Sequence, residues 1–252
     1  MPINARSIVR GLALLAAFGS VGSGPVMAQS NVEVEQVASS SCPEPCRPLA
    51  VIFIHGLNGN SETWGTGDVN FPKLLADDPG IGAKLDIFRV NYKSCFFGGA
   101  APSITDIHKE LIGKLDEKLV NSKYDKVVFI AHSLGGIVSF RYMQHLKSRY
   151  GHEQFAHIRL AMTYGSPMTG GNWAGLAGTF SSCPHLRVLT DLEKNDFEQA
   201  LKIDTTDMFE KRGDRGCPKF NVYAAYEKLP TSGLSLIVSK DSATNFVGAG
   251  RG

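Results

Sequence analysis

The chain has 252 residues, 43% hydrophobic and 20% charged, a composition that builds a globular core and excludes a disordered or fibrous protein. Its formal charge of +2 comes from 26 Lys and Arg against 24 Asp and Glu. Both excess cations, Arg6 and Arg10, lie in the first 28 residues, so the remainder is neutral, has no general hold on a phosphate backbone, and is not expected to bind nucleic acid.

Residues 1–28 read as an export signal. Arg6 and Arg10 precede the apolar run Gly11–Phe18, and Val26-Met27-Ala28 places small or modest residues before a cleavage point at Gln29. The run is too short to span a bilayer and is broken at once by Gly19, Gly22, Gly24 and Pro25. The expectation is a mature domain in the periplasm or outside the cell. Export permits disulfides. Of the five cysteines, Cys42 and Cys46 are close enough in one short loop to bridge each other; Cys183 can pair with Cys217 or with Cys95, the sequence not choosing between them, and the odd count leaves at least one thiol unpaired within a monomer. Zinc is not expected, because only one cysteine pair has suggestive spacing where four ligands are needed.

Residues 29–48 are polar, with a Ser39-Ser40-Ser41 run and three prolines, and read as a tether before a domain over 49–252. Short apolar runs then alternate with helical patterns. Leu49–Ile54, Leu85–Tyr92, Val127–Ala131, Ile158–Tyr164, Phe220–Tyr226 and Leu234–Ser239 are strand candidates of the kind buried on both faces. Residues 103–121 carry Ile104, Ile107, Leu111, Leu115 and Leu119 at helical spacing, with Ser103 and Asp106 near a capping box. Residues 134–150 repeat the stripe with Leu134, Val138, Tyr142 and Leu146. The alternation predicts an α/β fold with a mostly parallel, doubly wound sheet. A further helix is expected near 186–201, within a long irregular segment over 165–218.

The strongest signal is Ala131-His132-Ser133-Leu134-Gly135-Gly136, set between a strand candidate and a helix candidate. A serine in such a turn is held in a strained backbone and projects from the carboxyl edge of the sheet; its neighbours two residues away must be small. His55-Gly56-Leu57-Asn58-Gly59 ends the first strong strand. A tetrahedral acyl intermediate needs two donors aimed at its oxygen. The N–H of Leu134, after the nucleophile, supplies one, and the N–H of Leu57 the other, with Gly56 allowing close approach. His55 is expected to bond within its loop rather than act as a base, and His132 to point away from the nucleophile.

These motifs, with Thr63-Trp64, Phe71–Leu75, Tyr164-Gly165-Ser166-Pro167, Tyr226–Thr231, Ile237-Val238 and Ser242-Ala243, resemble an α/β-hydrolase, and are similar to lipase-like and inositol-deacylase-like serine esterases. The resemblance spans about residues 49–245. It implies hydrolysis of acyl esters, small-molecule or lipid, by a Ser–acid–His triad without metal or cofactor, and allows peripheral contact with lipid. The sequence does not set the oligomeric state.

In that fold the acid and then the histidine follow the serine. Glu227, directly after a late strand, is the first choice of acid, and Asp241 the second. The base is missing from its expected place. The histidines are His55, His108, His132, His145, His152, His157 and His185, none of which follows Glu227. Both the histidine loop and the last helix of that fold are absent here, and the preferred explanation is a fragment or an early-terminated frame; His185, in the irregular segment, is the alternative base, and His108 and His145 are expected as surface groups. The alternative function is an inactive hydrolase fold used for binding; an amidase or thioesterase would use the same machinery. Trp64, Phe96, Phe97, Trp173 and Phe180, in predicted loops, are candidates for an acyl pocket.

Overall fold

A computed structural model describes residues 30–57, 59–93, 104–120, 122–166 and 221–226. The six-stranded sheet contains β1 (Val32–Ala38), β2 (Leu49–Ile54), β5 (Leu85–Tyr92), β6 (Lys126–His132), β7 (Ile158–Tyr164) and β8 (Asn221–Ala225), in the spatial order β1-β5-β2-β6-β7-β8. Every pair is parallel except β1 with β5. A two-stranded ribbon, β3 (Gly65–Thr66) and β4 (Val69–Asn70), leads into α1 (Phe71–Ala76); α2 (Ile104–Leu119) and α3 (Leu134–Phe155) follow β5 and β6. The α/β class and the mostly parallel sheet are as the alternation predicts.

Helices cover both faces. One face packs Ile52, Ile54, Phe88, Val90 and Phe129 against Ile107, Leu111 and Leu115 of α2 and Val138, Tyr142 and Leu146 of α3. The other packs Val51, Phe53, Ile87 and Ile130 under Trp64 and Phe71. Phe53 meets the rings of Trp64 and Phe71 edge-on at 5.0 and 5.4 Å. Because β2 is enclosed by strands and helices, Ala50 through Ile54 are all buried, which is why their sequence runs apolar without alternation. Each large side chain buried there contributes about 1.5–3 kcal/mol.

Two expectations are corrected. Residues 32–38 are not tether but an edge strand paired with β5 from Val32–Tyr92 to Ala38–Ile87. Val32 and Val34 face the α2 side and, past a register shift between Gln36 and Ala38, Val37 and Ala38 join the opposite cluster. The alternation was present, but only as short apolar insertions between Glu33, Glu35 and Gln36, charges that suit a sheet edge. His108 and His145 are not surface groups either. His108 is half-buried against α3, where its ring N–H donates to the Arg141 backbone carbonyl, and burial lowers its pKa. His145 Nε2 lies 2.9 Å from Asp116 Oδ2 between α2 and α3.

Cys42 and Cys46 form a disulfide. The helix expected over 134–150 ends where Gly151 (φ 75°) turns the chain, with one more short turn reaching Phe155. The expected strand Leu234–Ser239, the helix near 186–201, the export signal and the other three cysteines lie outside the described residues. No helix among the described residues is long and apolar enough to cross a membrane.

Candidate active site

The chain leaves β6 through Ser133 and enters α3 at Leu134. Ser133 has φ 51° and ψ −123°, and is the single non-glycine with positive φ among the described residues. Such a conformation costs of order 1–3 kcal/mol and persists only where its surroundings impose it. Here they do: Ser133 N–H donates to Tyr164 O at 2.8 Å, tying the turn to the end of β7, and Gly136 N–H donates to Ser133 O at 3.0 Å.

Three glycines allow the packing. A Cβ on Gly135 would come within 2.2 Å of Ile54 O and 2.5 Å of His55 O, so the first turn of α3 lies directly against the end of β2. A Cβ on Gly56 would stand 2.6 Å from Ser133 Cβ and 3.2 Å from its Oγ, which places the loop after β2 beside the serine hydroxyl. A Cβ on Gly136 would meet Ser166 Oγ at 2.3 Å. Ser166 is fully buried, and its hydroxyl, like that of Thr163, has no hydrogen-bond partner among the described residues. Leu134 is buried in the core and Leu57 packs against it at the edge.

His55 is fully buried and uses both ring nitrogens. Nδ1 lies 2.8 Å from Gly56 O, and Nε2 accepts from Tyr92 N–H at 3.3 Å. This pairing fits the neutral ring protonated on Nδ1. The Tyr92 ring stacks on it at 4.2 Å, and Tyr92 O–H donates to His55 O at 2.5 Å. Burial lowers the His55 pKa; the Gly56 carbonyl opposes that shift and nearby His132 adds to it. His55 therefore shapes the loop, as expected, and has no free nitrogen to take a proton.

Ser133, Leu134, Gly135, His55, Gly56, Leu57 and His132 thus converge at the carboxyl edge of the sheet. His132 is the last residue of β6, paired with Tyr164. Glu227, Asp241 and His185 lie outside the described residues, as do Phe96, Phe97, Trp173 and Phe180. The strand that precedes Glu227 is placed: β8 neighbours β7, and its Ala225 O accepts from Gly165 N–H at 2.9 Å. His157 precedes β7 and so stands at the opposite, amino edge. Of the suggested pocket aromatics, Trp64 is instead buried over Phe53 in the core. Among the described residues no group of three or more His, Cys, Asp or Glu gathers to hold a metal ion.

A strained serine between a parallel strand and a helix, with a glycine loop from the neighbouring strand packed on it, is matched by the sequence at large. The model of the Alpha/beta hydrolase family matches residues 51–245, well over half of the chain. The chain belongs to the alpha/beta hydrolase family. No curated protein matches it. Among solved structures this hydrolase is similar to the mature lipase BlEst2 of Bacillus licheniformis, at 21% identity over 80% of this chain and 74% of that one, with a TM-score of 0.48. It is also similar to the type II thioesterase BorB from the borrelidin biosynthetic cluster (14% identity, 84% and 80% covered, TM-score 0.42). A lipase-esterase related protein from Clostridium acetobutylicum gives 9% identity, 68% and 64% covered, and a TM-score of 0.41. The family assignment rests on the sequence match.

Proposed function

We propose that this alpha/beta hydrolase is an exported serine hydrolase that cleaves carboxylic esters, small-molecule or lipid, through an acyl-enzyme on Ser133. The observation that carries the reading is the Ser133 backbone, a strained conformation at the one turn where the loop after β2 touches the serine. In the proposed reaction Ser133 Oγ attacks the ester carbonyl and gives up its proton to an imidazole base, for which His185 is the candidate in this chain. The tetrahedral oxyanion accepts from the N–H groups of Leu134 and Leu57. The carbonyl–alcohol bond then breaks, and the departing alkoxide takes the proton. Water attacks the acyl-serine by the same route and releases the acid. Glu227 is the proposed acid that orients the base, and Asp241 the alternative.

A second reading, a hydrolase fold retained for binding, is favoured by the histidines. His55 uses both nitrogens, His157 stands at the wrong edge, and His108 and His145 are engaged between helices. Turnover of a panel of p-nitrophenyl esters by the full chain separates the two. The esterase reading expects hydrolysis that Ser133→Ala reduces by at least about a thousandfold. Binding of esters without Ser133-dependent hydrolysis supports the second.

A further inference from the structure

A cleft of about 470 Å³ opens beside the proposed catalytic turn. This lies within the ~300–1,000 Å³ common for small-ligand pockets. Its floor is the outer end of the β1–β5 ladder, where Glu35 stands opposite Arg89 and Glu33 opposite Asn91. Its wall is the segment after β2, including His55, Gly59 and Asn60. The neighbouring Gly56 is the residue packed on Ser133, so one short loop separates the cleft from the serine.

The chemistry of the floor is specific. Arg89 and Asn91 alternate along β5 and point to one face, the second residue following the first by about 7 Å of strand. Arg89 gives Glu35 an Nη2 hydrogen bond at 2.7 Å, while its Nε–H is buried without a partner among the described residues. Asn91 Nδ2 reaches toward the same carboxylate at 3.4 Å, and its Oδ1 is likewise buried and unpartnered. Both atoms lie beneath the cleft surface, out of solvent contact, each at a desolvation cost of about 1–3 kcal/mol. The lining itself sets the cationic donors Arg89 and Lys93 beside the carboxylate acceptors of Glu33 and Glu35, and a hydroxyl group can answer both kinds, since it accepts and donates. The charges do not favour an anion, because Glu33 and Glu35 balance Arg89 and Lys93 on the lining. The lining's two rings, Tyr92 and His55, are stacked on each other, leaving little to hold an acyl chain.

We propose that this cleft binds a neutral polyhydroxylated group of glycerol or single-sugar size, and that it receives the alcohol side of the ester; this second step rests on the esterase reading. Binding is measured first, by saturation-transfer NMR and calorimetry on the full chain carrying Ser133→Ala, with glycerol and methyl glucoside as probes. Saturable polyol binding is expected, weakened at least tenfold by Asn91→Leu and by Ser61→Phe, which narrows the cleft from its rim. Neither inorganic phosphate nor hexanoate should compete. Absence of saturable binding to folded protein, equal binding of the anions, or indifference to both folded variants overturns the proposal. Kinetics then tests the alcohol role: the kcat/KM preference of the wild type for glycerol monobutyrate over ethyl butyrate should fall in Asn91→Leu, and an unchanged preference overturns that role. If polyols bind but no ester is hydrolysed, the esterase reading and the alcohol role fail while the binding site stands.

Discussion

Ser133 is held by contacts that leave little freedom at the adjoining glycines. Gly56→Ala would push a methyl group against Ser133 Cβ and Oγ, and neither neighbour can yield without moving the turn. Displacement of a reacting group by about 1 Å costs around a hundredfold in rate, so kcat/KM for the best ester should fall by about that factor while the circular dichroism spectrum is retained. His55 makes a prediction in pH. Its folded pKa lies below 6.5, chiefly through burial, so the unfolded chain binds the proton more readily. Its contribution to stability is complete above pH 6.5 and is lost as pH falls through the folded value. Denaturant titrations of wild type should show this decline, and His55→Asn should flatten it. At this scale the sequence was informative where residue type is forced. Only glycine fits at positions 56 and 135, and the serine turn follows from its flanking strand and helix. Arg89 and Asn91 carried no such signal, because polar residues late in a strand look alike until the facing strand is known.

The elements that were legible are those whose surroundings impose a pattern. β2, β5 and β6 are enclosed on all sides and read as apolar runs; α2 shows its buried stripe plainly. β1 escaped because its buried residues are few and its exposed edge is charged. The α2–α3 interface was legible only in its apolar half. There Asp116 accepts from Tyr142 O–H at 2.9 Å and from Tyr150 O–H at 2.8 Å, and faces His145. Helical spacing locates such residues on a face but not their partner on another helix. Burial, with the Asp116 charge, raises the Tyr142 pKa, so Tyr142 stays a neutral donor throughout the ordinary pH range. Asp116→Ala would strand that buried hydroxyl and should cost about 1–3 kcal/mol in chemical denaturation. A loss no greater than that of Tyr150→Phe would show that the cluster does not brace the helices.

For the molecule as a whole, two carboxylates fasten the N-terminal strand at both ends. Glu110 of α2 accepts from Asn31 N–H at 2.7 Å, Asn31 Nδ2 at 2.9 Å and Val32 N–H at 3.1 Å. Asp86, fully buried, accepts from Ser40 N–H and Tyr124 O–H, both at 2.6 Å, and pairs with Lys123 at 2.7 Å. Burial pushes the Asp86 carboxyl up, but Lys123, Ser40 and Tyr124 together outweigh it and hold the pKa below 3.8. The Asn31 side chain, followed by Ser30 and two backbone donors, holds Glu110 below 4.5. Both carboxylates therefore stabilise the strand above their unfolded pKa values and release it as pH falls through the lower folded ones. Hydrogen exchange should show residues 32–38 losing protection on acidification before β2 and β6 do. Asp86→Asn should produce the same early loss at neutral pH; simultaneous loss across the sheet would contradict it.

The account depends most on Ser133 being a reactive nucleophile. Fluorophosphonate treatment of the full chain, followed by peptide mass spectrometry, tests this directly. The expected result is a single phosphonyl adduct on the Ser133 peptide, formed in step with loss of ester hydrolysis and absent from Ser133→Ala. Hydrolysis that persists in Ser133→Ala, or an adduct on another residue that tracks the loss of activity, would contradict it.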